Sequence, residues 1–526
     1  MKKLTSILLS LVLILSLCSA AMLTVSAEEA ATAPSVWDGT ANIKWYIDGK
    51  AKGMGEYELN SAADLAGLAY IVNSSQSTAC YTGVYYDANY KVLGYRLGSS
   101  GAAYADMSLV YTPTEGDGSQ VIDGEAFTWQ NVYLCCDVVL NEGNAADWAT
   151  TPPTYTWQPI GGGIAENANK WFGFDGQFDG QGHTISGMYT SSTKDANLTG
   201  CGVFGIMGYQ VNGGVSNLIV ENFYQESARG AAGLIGRTKQ AVVIENCVVR
   251  NGYVVGSKEH TGAIIGGAFN AVTITNCGVE NVSVKGVDFV GGMVGTSNGY
   301  SVDVTDSYAI GSVEAGWQLG LIIGRKKEGA INLKNVYTAI EAKETATSGN
   351  YGAGVVFGFA ADNSTVTVVA ENYFYVNNFT LAAGEVKGTD TEGATAVTLD
   401  HLKGETAKAT LTGFDFDTVW KTVENGTPVI ELREEPNAGG NEGGEQGGQQ
   451  GGDDNNGGNN GNTNNTNNNT NKETEAPETN APETNAPETN APTTTQNSGC
   501  GSVIGFASVA MIALGAGACA IRKKND

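Results

Sequence analysis

Apolar residues in the middle of the chain come in short runs, and six of these runs end alike. They are Gly202-Val203-Phe204-Gly205, Gly233-Leu234-Ile235-Gly236, Ala263-Ile264-Ile265-Gly266, Gly292-Met293-Val294-Gly295, Leu321-Ile322-Ile323-Gly324 and Val355-Val356-Phe357-Gly358. Their final glycines are 31, 30, 29, 29 and 34 residues apart. A second marker, Asn or Asp before apolar residues, follows at Asn217, Asn246, Asn276, Asp306, Asn335 and Asn372, with steps of 29, 30, 30, 29 and 37. Two markers sharing one period of about 30 residues predict stacked supersecondary units. The stretches between them alternate and are rich in Val, Ile and Thr, as in Val272-Thr273-Ile274-Thr275. That is strand chemistry with no room for a crossover helix, so the predicted fold is all-β, a parallel β-helix (β-solenoid) with one coil per repeat.

The two markers then have physical roles. Asn tolerates a left-handed corner, and its amide both donates and accepts, so stacked copies predict a hydrogen-bonded ladder up the coil axis. Asp306 breaks that ladder, because an ionised carboxylate cannot donate. Gly suits a corner where a Cβ would clash.

A solenoid needs its ends covered. Leu65, Leu68, Ala69 and Val72 fall at helical spacing behind Ser61-Ala62-Ala63-Asp64, a capping-box pattern, and predict a short N-terminal capping helix. At the other end Thr398 to Leu402 reads as a short helix, with Phe414, Phe416 and Trp420 as apolar bulk.

The termini read as targeting segments. Residues 1–27 carry Lys2, Lys3, an apolar run and small residues before a cleavage expected after Ala27, the pattern of a signal peptide. From Asn437 to Lys472, Gly and Asn make up 24 of 36 residues, and three Glu-Thr-Asn-Ala-Pro units follow, which predicts a disordered stalk. Val503 to Ile521 is apolar and precedes Arg522-Lys523-Lys524, the pattern of a C-terminal transmembrane helix with a cytoplasmic basic tail. The expected division is 1–27 signal peptide, 28–77 N-terminal segment, 78–120 Tyr-rich insert and 121–200 first strands of the solenoid. It continues with 201–380 repeat array, 381–436 C-terminal cap, 437–499 stalk and 500–526 anchor, in which Cys500 stands where processing or lipidation would act.

The Gly-Leu-Ile-Gly and Gly-Met-Val-Gly units, each followed by Asn-Cys or Asn-aromatic, resemble the GLUG-motif repeats of bacterial secreted and surface proteins. Trp157-Gln158-Pro159-Ile160-Gly161 and the Gly-rich stretch Phe174 to Gly187 resemble the strands that precede such arrays. The resemblance covers roughly Glu56 to Leu432 outside the insert. It implies a solenoid found both in adhesins and beside secreted proteases. The His-Glu-x-x-His signature of zinc proteases is absent from the sequence, so no protease role is carried over.

Charge narrows the partners. With 29 Lys+Arg against 55 Asp+Glu the net charge is -26, which disfavours nucleic acid. His183, His260 and His401 are too far apart in sequence for a short-spaced metal motif. No cofactor is expected, and calcium is the one metal left open, through Asp175 and Asp179. Asp303, Asp306 and Arg325-Lys326-Lys327 are the candidates for lyase or hydrolase chemistry, although charges at coil corners more often face solvent. Cys247 and Cys277, one repeat apart, are expected to stack as thiols, and at least one of Cys135 and Cys136 to be buried. The insert gathers Tyr81, Tyr85, Tyr86, Tyr90, Tyr95, Tyr104 and Tyr111, whose amphipathic rings suit a glycan or an extracellular protein. The functional expectation is therefore an envelope-anchored solenoid on the outer face of a bacterial cell that binds a glycan or another surface. A β-helix polysaccharide-degrading enzyme is the alternative, and a purely structural envelope protein the second.

Overall fold

The computed structural model of the chain describes residues 34–75, 80–98, 105–162, 171–191, 199–345, 352–358, 365–382, 386 and 391–432. The expected signal segment with Ala27, the expected stalk and anchor with Cys500, and Tyr104 lie outside them. Among the described residues no helix is long and apolar enough to cross a membrane.

The repeats form parallel coils in the expected register. Val242 lies opposite Val272, and Val272 opposite Val302. On a second, five-stranded parallel sheet Ile235, Ile265, Val294 and Ile323 lie opposite one another in turn. That sheet consists of Phe204–Met207, Ile235–Thr238, Ile265–Ala268, Val294–Ser297 and Ile323–Lys326. Between the sheets runs one continuous core of Val, Ile and Leu with Phe178, Phe204 and Phe223.

The glycine that closes each marker is required by the winding. A Cβ on Gly236 would come 2.5 Å from Gly200 Cα, on Gly266 2.6 Å from the Gly230 carbonyl carbon, and on Gly295 2.3 Å from Thr261 N. On Gly324 it would come 2.3 Å from Val290 N. Each obstacle is backbone of the preceding coil, which no rotamer change can move aside.

At the opposite corner the Asn markers all take left-handed φ values, from 46° at Asp306 to 58° at Asn372. Their amides connect one coil to the next. Asn217 Nδ2 donates to Asp179 Oδ1 (3.0 Å), Asn246 Nδ2 to Asn217 Oδ1 (2.7 Å) and Asn276 Nδ2 to Asn246 Oδ1 (2.8 Å). A second run starts at Asp306 Oδ1, which accepts from Asn335 Nδ2 (2.9 Å), while Asn335 Oδ1 accepts from Asn372 Nδ2 (2.9 Å). Between the runs, buried Asn276 Oδ1 faces no donor. A further left-handed row, Asn222, Asn251 and Asn281, turns the next corner, and Asn281 Nδ2 donates to Asn251 Oδ1 (3.0 Å).

Two helices stand at the N-terminal end, α1 (Lys44–Lys52) and α2 (Ala62–Asn73). In α2 the Ser61 hydroxyl accepts from Asp64 N (3.1 Å), and Asp64 accepts in return from Asn60 N, one residue earlier than in a standard capping box. Its Leu65, Leu68, Ile71 and Val72 are fully buried in the solenoid core. The α1 helix has no side-chain N-cap and is held instead by Trp45 and Tyr46, which pack on Tyr57 and Phe127.

The C-terminal segment behaves differently from a simple end cover. After the 3-10 turn Leu399–Leu402, residues Leu411, Phe414, Trp420 and Ile430 fold back along the flank onto Tyr308, Tyr337 and Phe374. Tyr308 and Tyr337 stack at 5.4 Å, and Gly278 leaves the space for the Tyr308 ring, which a Cβ there would meet at 2.7 Å.

Cys201, Cys247 and Cys277 are buried free thiols, and burial together with the neighbouring Cys277 raises the Cys247 thiol well above its ordinary range. Cys135 and Cys136 are both half-buried, contrary to the strand alternation expected of them. They lie past the end of the strand Asn131–Leu134, at a corner where that alternation no longer applies.

The ladder makes a directional prediction. Asn276→Gly keeps the left-handed corner accessible but removes the hydrogen bond from Asn276 Nδ2 to Asn246 Oδ1, and should cost about 0.5–1.5 kcal/mol. Asp306→Asn supplies the missing donor to Asn276 Oδ1 and should leave the melting temperature equal or higher. Urea and thermal unfolding of both variants check this.

Candidate binding surface

The tyrosines of the insert build a small three-stranded antiparallel sheet, Tyr81–Tyr86, Val92–Leu97 and Gln120–Ile122. Tyr81, Tyr86 and Tyr95 are buried. Tyr81 stacks on Tyr95 at 4.0 Å, and the Tyr95 hydroxyl lies 3.1 Å from Gln158 Oε1. Tyr86 donates to Gln120 Oε1 (3.1 Å). These three join the main core, where Tyr95 also packs on Tyr70 of α2 at 4.6 Å. Tyr85, Tyr90 and Tyr111 are half-buried, and Tyr111 donates to Asp117 (3.0 Å).

The charged candidates are engaged in structure. Buried Asp175 accepts from the backbone N–H groups of Tyr209 and Gln210, and Asp179 accepts from Gln181 N and Asn217 Nδ2. Among the described residues no group of three or more His, Cys, Asp or Glu is placed to hold a metal. Asp303 accepts from Ser301 Oγ and Asn332 Nδ2, while Asp306 belongs to the Asn corner. Lys326 is fully buried and donates to Ser297 Oγ (2.9 Å) and the Tyr300 carbonyl, and burial pulls its ammonium down to about 8. His183 contacts Asp137 (3.2 Å), and His401 is exposed.

His260 has another setting. It takes φ 68°, is 7% exposed and reaches Thr296 Oγ1 through Nδ1 (2.8 Å). Around it stands an array that the sequence reading missed. Arg237 Cζ lies 5.3 Å from the Trp171 ring and 5.4 Å from that of Phe269. The His260 ring follows, 5.8 Å from Phe269 and 5.6 Å from Phe289, and Arg325 Cζ then sits 4.7 Å over Phe289. Cations and aromatic rings thus run along one flank across four coils.

The fold makes room for this row residue by residue. Arg237 is on the strand Ile235–Thr238, and its stem lies over Gly230, where a Cβ would meet Arg237 Cγ at 2.7 Å. One coil on, the arrangement reverses, with His260 near the end of the long strand Val248–Gly262 and Gly267 on the short strand Ile265–Ala268. Arg229 pairs with Glu259 (3.0 Å). Arg237, only 4% exposed, has no hydrogen-bond or ion-pair partner among the described residues, and its Nε is buried unpaired. Burial pulls the Arg237 guanidinium down to about 10 against the opposing pull of Glu259, so it remains a cation at neutral pH.

No family model matches the chain, and no curated protein matches it. A crystal structure from Bacteroides ovatus described as a "putative immunoglobulin A1 protease" is similar over 58% of this chain and 87% of its own, at 20% identity and a TM-score of 0.41.

Burial, then Arg237, Arg229 and Arg325, hold His260 neutral well below its ordinary range. Unfolded, it takes up a proton near pH 6.5. Stability is therefore unaffected above that pH and falls below it, because the unfolded state binds the proton and the folded state does not. Wild-type chain should lose more melting temperature between about pH 7 and about pH 5 than His260→Gln. Parallel losses would contradict the assignment.

Proposed function

We propose that this chain is a surface-displayed β-solenoid of the GLUG-repeat type that binds an extracellular ligand without turning it over. Secretion through the segment ending at Ala27 and attachment through residues 500–526 place it on the outer face of a bacterial envelope. Its role is then adhesion to a glycan or another surface. The observation that carries the reading is the flank row from Trp171 to Arg325, where aromatic rings stand against guanidinium groups whose Nε atoms are buried without a hydrogen-bond partner. Aromatic rings supply contact area at low entropic cost, and Arg is the side chain favoured at binding hot spots.

The candidates for catalysis support binding over turnover. Asp303 and Lys326 spend their polar atoms on Ser301, Asn332, Ser297 and Tyr300, and Asp306 on Asn335. General acid–base work requires a positioned group within reach of substrate, and Lys326 is fully buried. Of the insert's described tyrosines, Tyr85, Tyr90 and Tyr111 reach the accessible surface.

An array of glycans and matrix proteins probed with the chain should show retention on at least one class. Incubation with acidic and neutral polysaccharides should yield no reducing ends and no ultraviolet-absorbing unsaturated products. Sustained product release that is lost in Asp303→Asn would replace this reading with an enzymatic one. Protease added to intact cells should remove the solenoid, and purely cytosolic material would contradict the localisation.

A further inference from the structure

Arg237 poses an energetic question. A cation taken out of water is costly unless paired, and removing one partner of a buried pair typically leaves the other strongly destabilised. Arg237 is nevertheless buried against two aromatic rings with Nε orphaned, and Arg325, three repeats along the same column, also has an orphaned Nε. Rings recover part of the cost through cation–π attraction, but they supply no hydrogen-bond acceptor.

The surroundings concentrate this deficit. Strands of one sheet stand about 4.8 Å apart, which puts Arg237 and Arg325 roughly 14 Å from each other. Lys239 and Lys327, just past the ends of the same two strands, add positive charge. The acids nearby are partly committed, since Glu259 pairs with Arg229 and Asp288 accepts from Phe289 N. A chain of net charge -26 thus keeps a cationic strip on one flank, lined by the sugar-compatible ring faces of Trp171, Phe269 and Phe289.

We infer that this flank is a subsite for an anionic polysaccharide, in which acid groups of successive sugars pair with Arg237 and Arg325 while the sugar rings lie against Trp171, Phe269 and Phe289. The inference rests on the binding reading above and narrows its ligand class. The guanidinium of Arg237 has been desolvated by folding, so an arriving carboxylate or sulfate gains a charge-assisted, bidentate contact without that cost being met again. The two acid chemistries share this contact. A neutral sugar brings no charge to balance the guanidinium.

The test uses the full chain and three polymers with one backbone: dextran, carboxymethyl dextran and dextran sulfate. Binding is followed by calorimetry at two salt concentrations. The charged polymers should bind and weaken with added salt, and dextran should not bind. Their relative affinity distinguishes carboxylate from sulfate as the preferred group. Arg237→Met and Arg325→Gln should each weaken binding roughly 30-fold, the equivalent of about 2 kcal/mol.

The two sites also differ in a readout that a purely structural arginine would not give. Arg237→Met removes an unpaired buried charge, so its melting temperature without ligand should hold or rise, whereas a structural role would lower it. Arg325→Gln, at a half-buried position, keeps the test decisive should Arg237→Met fail to fold. Wild-type affinity in a folded variant overturns the inference. Binding to neutral glycans or proteins alone overturns the inference and leaves the binding reading standing, and binding to nothing on the array overturns both.

Discussion

Everything in this solenoid depends on one close approach. Once per coil the backbone passes over the previous turn so tightly that no side chain fits, and a glycine stands there at Gly236, Gly266, Gly295 and Gly324. The approach fixes the period, because a coil of different length would move the glycine off the backbone it must meet. It also fixes the register of the five-stranded sheet, which runs through the same glycines. The Asn corner is the complementary constraint. There the chain turns through a left-handed conformation, and the amide that tolerates it also joins one coil to the next.

The flank row is a consequence of the same winding. Bringing the end of a coil's long strand against the short strand that follows leaves a narrow notch, and two successive coils fill it from opposite sides, with Arg237 over Gly230 and then His260 over Gly267. Alternating the source of the side chain lets large groups follow one another at strand spacing. The result is a row in which rings and cations touch along the axis. Dielectric screening is weak in such a place, so an unpaired guanidinium there acts strongly on whatever anion comes near.

Much of the architecture was legible because it repeats. Two columns, Gly and Asn, carried the period and with it the parallel stacking, and strand alternation carried which face of each strand is buried. The second corner row, Asn222, Asn251 and Asn281, was equally visible five residues after the first and was overlooked. The α1 helix gave little signal, since Lys44–Lys52 has no side-chain N-cap and an interior glycine, with only Gly53 closing its end, and it is held by tertiary packing of Trp45 and Tyr46. The C-terminal aromatics declared bulk but no direction, and the flank they cover is set by Tyr308, Tyr337 and Phe374. Least legible was the flank row, because its members come from different columns. Only column-by-column alignment of the repeats, pairing Arg237 with Arg325 and His260 with Phe289, brings it out.

The central claim, that backbone contact at the marker glycine holds the coils in register, is tested most directly at two adjacent glycines. A Cβ on Gly266 would meet backbone at 2.6 Å, whereas on Gly267 its nearest neighbour is the movable Phe269 ring at 3.3 Å. Melting and urea unfolding of Gly266→Ala and Gly267→Ala should show a loss of about 3 kcal/mol or more for the first and under about 1 kcal/mol for the second. Equal losses, or a stable Gly266→Ala, would contradict the account.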